Sequence, residues 1–176
     1  MGKVKCLGVL LFILSMGIYL QAHEGHEALA TFSFASWLEG VGRFHLLFLH
    51  FPIALIVMTV TAEWLGIWFA NPLFNQAARF MILAAAIFAP ITALLGLAFG
   101  YGQNYTGISL DLYVWHRNFG LLTAGLAILT AILKERYIRE YTTSLAAYYL
   151  CLFLLFLSVS LAGAFGGSLT FGLDIW

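Results

Sequence analysis

Charge is scarce in this sequence of 176 residues, since only 9% of them are Asp, Glu, Lys or Arg. Eight basic and eight acidic residues cancel, so the chain has neither the basic surface that binds nucleic acid nor an acidic tail. Hydrophobic residues account for 62% of the chain, well above their share in soluble domains. The composition therefore excludes a water-soluble enzyme and predicts a protein whose main partner is the lipid bilayer.

Cysteine is nearly absent as well, and the two examples are Cys6 and Cys151. Two isolated cysteines provide neither a disulfide framework nor a C-x-x-C motif. The sequence also lacks the G-x-S-x-G, H-E-x-x-H and P-loop patterns, so nothing in it supports a hydrolase. The sequence leaves enzymatic activity open but favours a role without catalytic residues.

The N-terminus has the form of a secretory signal peptide. Lys3 and Lys5 precede an apolar run over residues 7–20 that is short for a membrane span, and polar residues follow it. We predict a signal peptide over residues 1–22, cleaved after Ala22 or, further downstream, after Ala30. An uncleaved anchor is the alternative. Residues 23–42 form the exported N-terminal tail in this prediction.

Two histidines, His23 and His26, lie in that tail. If cleavage follows Ala22, the new amine and these imidazoles are nitrogen ligands suited to Cu(II) or Zn(II). A solvated polar stretch is the simpler interpretation, and cleavage after Ala30 removes both residues. The sequence therefore predicts only a weak metal site here.

Four apolar segments beyond residue 42 are long enough to cross a hydrocarbon core of about 30 Å as helices. They lie roughly at residues 44–70, 77–100, 112–133 and 144–165. Short connections favour antiparallel neighbours, and no internal repeat is evident. We therefore predict an all-α membrane protein in which residues 43–176 form an antiparallel four-helix transmembrane bundle.

Cations concentrate in two of the connections between these spans. Arg79 marks the first connection, and Lys134, Arg136 and Arg139 crowd the third. By the positive-inside rule both connections are cytoplasmic. We therefore expect a multi-pass protein of the bacterial inner membrane, with its mature N-terminus and its C-terminus on the periplasmic or external side.

Three histidines lie where lipid is expected. His45 and His50 occupy the first turns of the first span, and His116 occupies the first turns of the third, so this topology puts all three in one outward-facing layer. Such a layer suits haem b or a transition metal bound by ligands from facing helices. Since His45 and His50 are five residues apart and point in different directions, we expect only one of them to meet His116, and we prefer His50. Hydrogen bonding of each imidazole to a backbone carbonyl is the simpler interpretation.

Other polar residues near the spans have separate interpretations. Pro52 cannot donate to the carbonyl of Phe48, so we expect a free backbone acceptor beside the histidines. Glu63 lies about 20 Å along the helix from His50 and is expected to pair with Arg79, or else to serve a proton or solute pathway. Arg117 is expected at the outer headgroups, with binding of a carboxylate or phosphate as the alternative.

Short motifs in a fixed order suggest a family. They are Gly42-Arg43-Phe44-His45, Leu49-His50-Phe51-Pro52-Ile53-Ala54-Leu55, Ile91-Thr92-Ala93-Leu94-Leu95-Gly96, His116-Arg117 and Gly163-Ala164-Phe165-Gly166-Gly167-Ser168-Leu169-Thr170. From about residue 40 to the C-terminus the chain resembles the bacterial membrane-protein family named domain of unknown function 2231. The resemblance implies a four-span domain. It also implies a respiratory or redox setting with a membrane or cytochrome c-type partner, because such relatives often occur beside or fused to cytochrome c domains.

The chain departs from that family pattern at two positions. Phe165 and Phe171 stand where the family usually carries His. If the family binds a cofactor through those positions, this member either lacks the cofactor or holds it with His45, His50 and His116 alone. The functional hypotheses are therefore a haem b or metal-binding redox subunit that transfers electrons, a non-catalytic structural or assembly subunit, and a proton or solute pathway involving Glu63.

Overall fold

Long helices make up almost all of the computed structural model, which describes residues 34–101, 103–140 and 145–172. The predicted signal peptide, both candidate cleavage points, and His23 and His26 lie outside the described residues. The four predicted spans are confirmed, because four helices are long and apolar enough to cross a membrane. These spans are Ser36–Phe69, Pro72–Tyr101, Ile108–Ile138 and Ala146–Phe171.

The first span consists of three helical pieces, and each later span is one helix. The elements are α1 (Phe34–Gly42), α2 (His45–Phe48), α3 (His50–Phe69), α4 (Pro72–Tyr101), α5 (Ile108–Ile138) and α6 (Ala146–Phe171). Phe44 and Leu49, which separate the pieces, keep right-handed helical dihedral angles. Residues 34–42, assigned to an exported tail on sequence grounds, are thus helical and pack against α4.

Glycine and proline set several helix ends. Ala70 adopts a left-handed conformation after α3, and Pro72 opens α4, where a missing N–H costs no helical hydrogen bond. Gly107 precedes α5 with φ +56° and ψ −134°, a conformation that strongly favours glycine. Gly172 closes α6 in the left-handed region and donates its N–H to the Ser168 carbonyl at 3.0 Å.

The four spans pack around one core in which small side chains alternate with large ones. Alanines allow close approach of α4 and α5, and larger residues of α3 and α6 fill the remaining space. The fully buried members include Ile56, Ile82, Ala85, Ala127 and Leu155. Large apolar side chains such as Phe80 and Phe153 are instead more than 60% exposed on the outside, as expected where lipid is the solvent.

Consecutive helices make most of the contacts in the bundle, and the first and last spans contact each other much less. The contacts of α3 with α4, α4 with α5 and α5 with α6 are extensive, whereas those of α3 with α6 are sparse. Close approach at Gly42, where an added Cβ would overlap the backbone of Phe99, fixes the end of α1 against α4. The seam between α3 and α6 is therefore the least tightly packed part of the described domain.

Candidate functional site

Two of the three candidate histidines meet ring to ring. The ring centroids of His45 and His116 are 6.0 Å apart, with an angle of 80° between the ring planes. His50 is exposed and borders the same cavity. The preference for His50 as the partner of His116 is therefore corrected: His45 holds that place. Helical spacing predicted that only one of the two would meet His116, but it gave no basis for choosing between them.

Backbone hydrogen bonds fix the orientation of both rings. His45 Nδ1 lies 2.9 Å from the Thr92 carbonyl oxygen, and His116 Nδ1 lies 2.8 Å from the Ala162 carbonyl oxygen. A carbonyl only accepts, so in each ring Nδ1 carries the hydrogen and donates it. In the neutral rings Nε2 therefore carries the lone pair, and no described residue hydrogen-bonds to it. This is the tautomer that a metal-ligating histidine adopts.

A glycine one turn beyond each acceptor makes room for each ring. A Cβ added to Gly96 would lie 3.0 Å from His45 Cε1, and one added to Gly166 would lie 2.8 Å from His116 Cε1. Close approach, not backbone conformation, thus favours glycine at both places, and the approach is tighter at Gly166. This role was not predicted from the sequence, although Gly96 and Gly166 both lie in the motifs that suggest the family.

The two histidine arrangements belong to an internal repeat of helix pairs. His45 hydrogen-bonds to the carbonyl of Thr92, 47 residues later, and His116 hydrogen-bonds to the carbonyl of Ala162, 46 residues later. Each of these two acceptor residues is followed, four residues further on, by a glycine that contacts the ring. The separation of 71 residues that relates Glu63 to Lys134 also relates the two histidines. It also relates Thr59 to Thr130, which are fully buried and donate to the carbonyl four residues earlier.

Five buried positions of α4 each match a buried position of α6 that lies 70 residues later. They match in order as Ala78 with Tyr148, Ile82 with Leu152, Ala85 with Leu155, Ala89 with Val159, and Thr92 with Ala162. The repeat relates the two helix pairs of one bundle and does not add a second domain. Residue identity has diverged at most matched positions, so the repeat is visible in contacts and burial rather than in the letters.

The two rings border a cavity of about 440 Å³ that all four spans line. This volume lies within the usual range for small-molecule and cofactor sites, about 300–1,000 Å³. Glycines form much of the wall: Gly96, Gly100, Gly120, Gly163, Gly166 and Gly167. At Gly120, Gly163 and Gly167 an added Cβ would meet nothing within 4 Å, so the missing side chains contribute directly to the open space.

Pro52 acts as predicted on the backbone beside this cavity. It lies in the first turn of α3 and has no N–H for the carbonyl of Phe48. The Thr92 hydroxyl donates to that carbonyl at 3.4 Å. Thr92 thus uses its carbonyl for His45 and its hydroxyl for Phe48, which ties the first span to α4 at two points.

Polar side chains surround the cavity away from the two rings. Arg117 borders it and lies 5.8 Å from the centroid of the Tyr113 ring, and Tyr105 stacks on Tyr113 with centroids 4.6 Å apart. Burial raises the pKa of the Tyr105 phenol, and Tyr113 adds to the rise, so this hydroxyl is protonated at neutral pH. The border of the cavity therefore combines a guanidinium and a phenol with the exposed imidazole of His50.

The two phenylalanines at the departing family positions have different surroundings. Phe165 is 9% exposed and stacks on Trp115 and Phe119, with centroids 6.2 and 5.8 Å away. Phe171 is 75% exposed and borders the cavity. Across residues 34–101, 103–140 and 145–172, no three His, Cys, Asp or Glu side chains form a group that could hold a metal ion. His, Cys, Asp and Glu in this part of the chain therefore offer at most two ligands at any one place.

Glu63 does not pair with Arg79, so that prediction is wrong. Its Oε1 accepts hydrogen bonds from Lys134 Nζ at 2.5 Å and from Tyr148 Oη at 2.7 Å. Lys134 also donates to Asn75 Oδ1 at 2.6 Å. Glu63 and Lys134 lie eighteen residues, or five helical turns, after His45 and His116, so they use the same helix faces about 27 Å away.

Arg79 pairs instead with Glu135. Its Nε and one terminal nitrogen donate to the two carboxylate oxygens at 2.5 and 2.9 Å, which is a bidentate arrangement. Sequence reasoning placed Lys134 with the cytoplasmic loop cations, yet it is 1% exposed and lies in the core. The five-turn spacing from His116 was the available signal that it faces inward.

Replacement of Gly166 by alanine tests whether its neighbour holds the His116 ring. We expect Gly166→Ala to lower the free energy of unfolding by about 1–3 kcal/mol, because the new methyl group displaces the ring from the Ala162 carbonyl. Gly125, in the middle of α5, has open space at its Cβ position. Gly125→Ala is the matched control and should stabilise by up to about 1 kcal/mol. Thermal denaturation in mild detergent measures both, and equal stability of the two variants would contradict the packing.

Comparison with known proteins gives one result for this chain. A family model described as "Predicted membrane protein (DUF2231)" matches residues 43–175. No curated protein and no solved structure matches the chain. The match covers all of the cavity and both histidines.

Proposed function

Because this chain belongs to the DUF2231 family of predicted membrane proteins, we propose that it is a membrane-embedded redox subunit in which His45 and His116 would hold a haem b through its iron. The observation that carries the proposal is the pair of neighbouring imidazoles that both keep Nε2 free while Nδ1 is bonded to a carbonyl. His50, which the sequence favoured as the partner of His116, lies at the border of the cavity.

The ligand set favours haem over a single zinc ion. A structural zinc site takes four protein ligands, and a catalytic one takes three, whereas haem needs only one or two from the protein. Two imidazoles bonded to one metal at about 2.0–2.1 Å have ring centres roughly 5–6.5 Å apart, and the observed separation is 6.0 Å. The donor set in the described residues therefore fits haem iron better than it fits a protein-only metal site.

The surroundings of the two rings also fit a large flat cofactor. The glycine-rich wall keeps a cavity of about 440 Å³ open beside the imidazoles, and apolar residues from four helices form most of its lining. A bound haem would supply one-electron transfer through its iron. The protein's contribution is to hold both rings by their Nδ1 hydrogens, which keeps Nε2 basic and correctly directed.

One observation also favours the structural or assembly subunit as a second candidate. Each histidine joins two helices through its carbonyl contact, His45 to α4 and His116 to α6, and this is how a helix-pinning residue acts. The proton or solute pathway has weaker support, because Glu63 is held by Lys134, Tyr148 and Tyr149.

The proposal includes the finer topology. We infer an antiparallel arrangement in the bacterial inner membrane, with the cavity and both termini on the periplasmic side. Support comes from the cations Arg79, Arg136 and Arg139, which the positive-inside rule places in the cytoplasm, far along the spans from the histidines. A cavity on the outer side is accessible to a cytochrome c-type electron partner. A signal peptide over residues 1–22 agrees with this orientation.

An absorption spectrum of the protein purified in mild detergent tests the proposal. After expression with haem supply, we expect a Soret band that shifts on reduction with dithionite, with about one haem per chain by pyridine haemochrome assay. Detergent-purified protein that folds with full helical content but shows no Soret band, even after addition of haemin, would overturn the haem proposal and leave the structural subunit. Metal analysis of the same sample reports copper or zinc.

A further inference from the structure

A second depression lies on the outside of the domain, on the far side from the histidines. It is a groove of about 340 Å³ between α4 and α5. Leu83 and Ala86 of α4 and Ile128 and Ile132 of α5 form its apolar floor, and Arg136 and Arg139 lie at its end. The groove thus continues from the lipid-facing surface of two spans to a pair of cations.

Positive charge at the end of the groove is only partly neutralised. Glu135 is the one carboxylate that borders the groove, and it already accepts from Arg79 at 2.5 Å and from Arg139 at 3.3 Å. Arg136 is exposed and has no ion pair with any described residue. Two guanidinium groups therefore share one carboxylate while Arg136 borders the groove without an ion pair, which leaves a net positive charge beside the apolar floor.

We infer that this groove is a binding site for an anionic phospholipid. The floor faces the bilayer, so an acyl chain is the group that it meets there, and Arg136 and Arg139 lie where a headgroup begins. Guanidinium groups bind phosphate in a bidentate manner, and basic pockets between membrane helices are suited to anionic headgroups. A zwitterionic lipid covers the same floor but gains less from the excess positive charge. The inference does not depend on haem binding.

Lipid titration of the full-length protein in a non-ionic detergent tests this site. Phosphatidylglycerol and phosphatidylcholine with the same acyl chains are added, and the melting temperature and the lipids retained in native mass spectra are recorded. At about 1 kcal/mol per arginine, each cation contributes roughly fivefold in affinity. We therefore expect wild-type protein to prefer phosphatidylglycerol by about tenfold or more, and the double variant Arg136→Gln/Arg139→Gln to lose most of that preference.

Two further variants separate the groove from general charge attraction. Ala86→Leu fills the floor without changing charge, and we expect it to weaken retention of both lipids. Arg43→Gln removes an exposed cation that lies far along the first span from this groove, and it should leave the preference for phosphatidylglycerol unchanged. Equal binding of the two lipids by wild type, or an unchanged preference in the double arginine variant, would overturn the inference. An equal stabilisation by inorganic phosphate alone would also overturn it, in favour of a free-anion site.

Discussion

His116→Ala is expected to lose bound haem, with a fall in haem affinity of at least about 100-fold. The reason is that the variant removes one of the two proposed ligands, a larger loss than that of a supporting hydrogen bond, which typically costs 10–100-fold in metal affinity. His45→Ala should lose haem to a similar degree, since its ring lies 6.0 Å from that of His116. The ratio of Soret to protein absorbance after purification, followed by haemin titration, measures the effect.

His50→Ala is the matched control for this prediction. It removes an imidazole from the same span and from the border of the same cavity, but from a ring that does not meet His116. We expect it to keep its Soret band. Free imidazole should partly restore the band in His116→Ala, a rescue that a purely structural role would not produce. If His50→Ala loses haem and His45→Ala retains it, the ligands are His50 and His116, as the sequence favoured, and the assignment of His45 is wrong.

Lys134→Met is expected to lower the free energy of unfolding by about 3–5 kcal/mol, the largest stability effect in the domain. Lys134 and Glu63 are 1% and 8% exposed and are joined at 2.5 Å. Removal of the lysine leaves a buried carboxylate whose charge is stabilised only by the hydroxyls of Tyr148 and Tyr149. Unfolding in mixed micelles of SDS and mild detergent, followed by circular dichroism, measures the loss.

A double variant separates the cost of an unpaired charge from the value of the pair. Glu63→Gln/Lys134→Met removes both charges, and we expect it to recover most of the stability lost in Lys134→Met. Arg43→Gln breaks an exposed contact with Glu39 at 3.8 Å and should have no measurable effect. If the double variant is less stable than Lys134→Met, the unpaired Glu63 carboxylate is not the cause of the loss and the desolvation argument fails.

Much of the fold could be predicted from the sequence because lipid imposes a simple rule. Apolar runs of sufficient length must form spanning helices, and all four were found, although each observed span extends beyond its predicted limits at one or both ends. The first span differs most, since its helix begins at Phe34 or Ser36 rather than near residue 44. This extension was not predicted because it contains polar and small residues such as Ser36, Glu39 and Gly40. Hydropathy identifies only the part of a helix that crosses the hydrocarbon core.

The sequence predicted that three histidines lie in one layer of the bundle, but it could not predict which two of them meet. The depth of His45, His50 and His116 in the membrane follows from their positions along the spans and the helical rise per residue. These depths are similar, so the three side chains were expected near one another. Which ring faces inward depends on the rotation of the first span, and that rotation is set by packing against Gly96 and Thr92. The wrong partner for Glu63 has the same origin. Lys134 was expected in a loop because it is close in sequence to other cations. In the structure, the rotation of α5 about its axis points the Lys134 side chain into the core.

The matched positions of the two helix pairs carry an evolutionary consequence. If the halves arose by duplication of one two-helix ancestor, that ancestor assembled as a symmetric dimer, and position 63 stood opposite its own copy. Two identical ionised side chains held 2.5 Å apart in the core would repel strongly, so such a dimer would need an uncharged residue there. A carboxylate in one half and an ammonium in the other instead make each half complementary to the other half and not to a copy of itself.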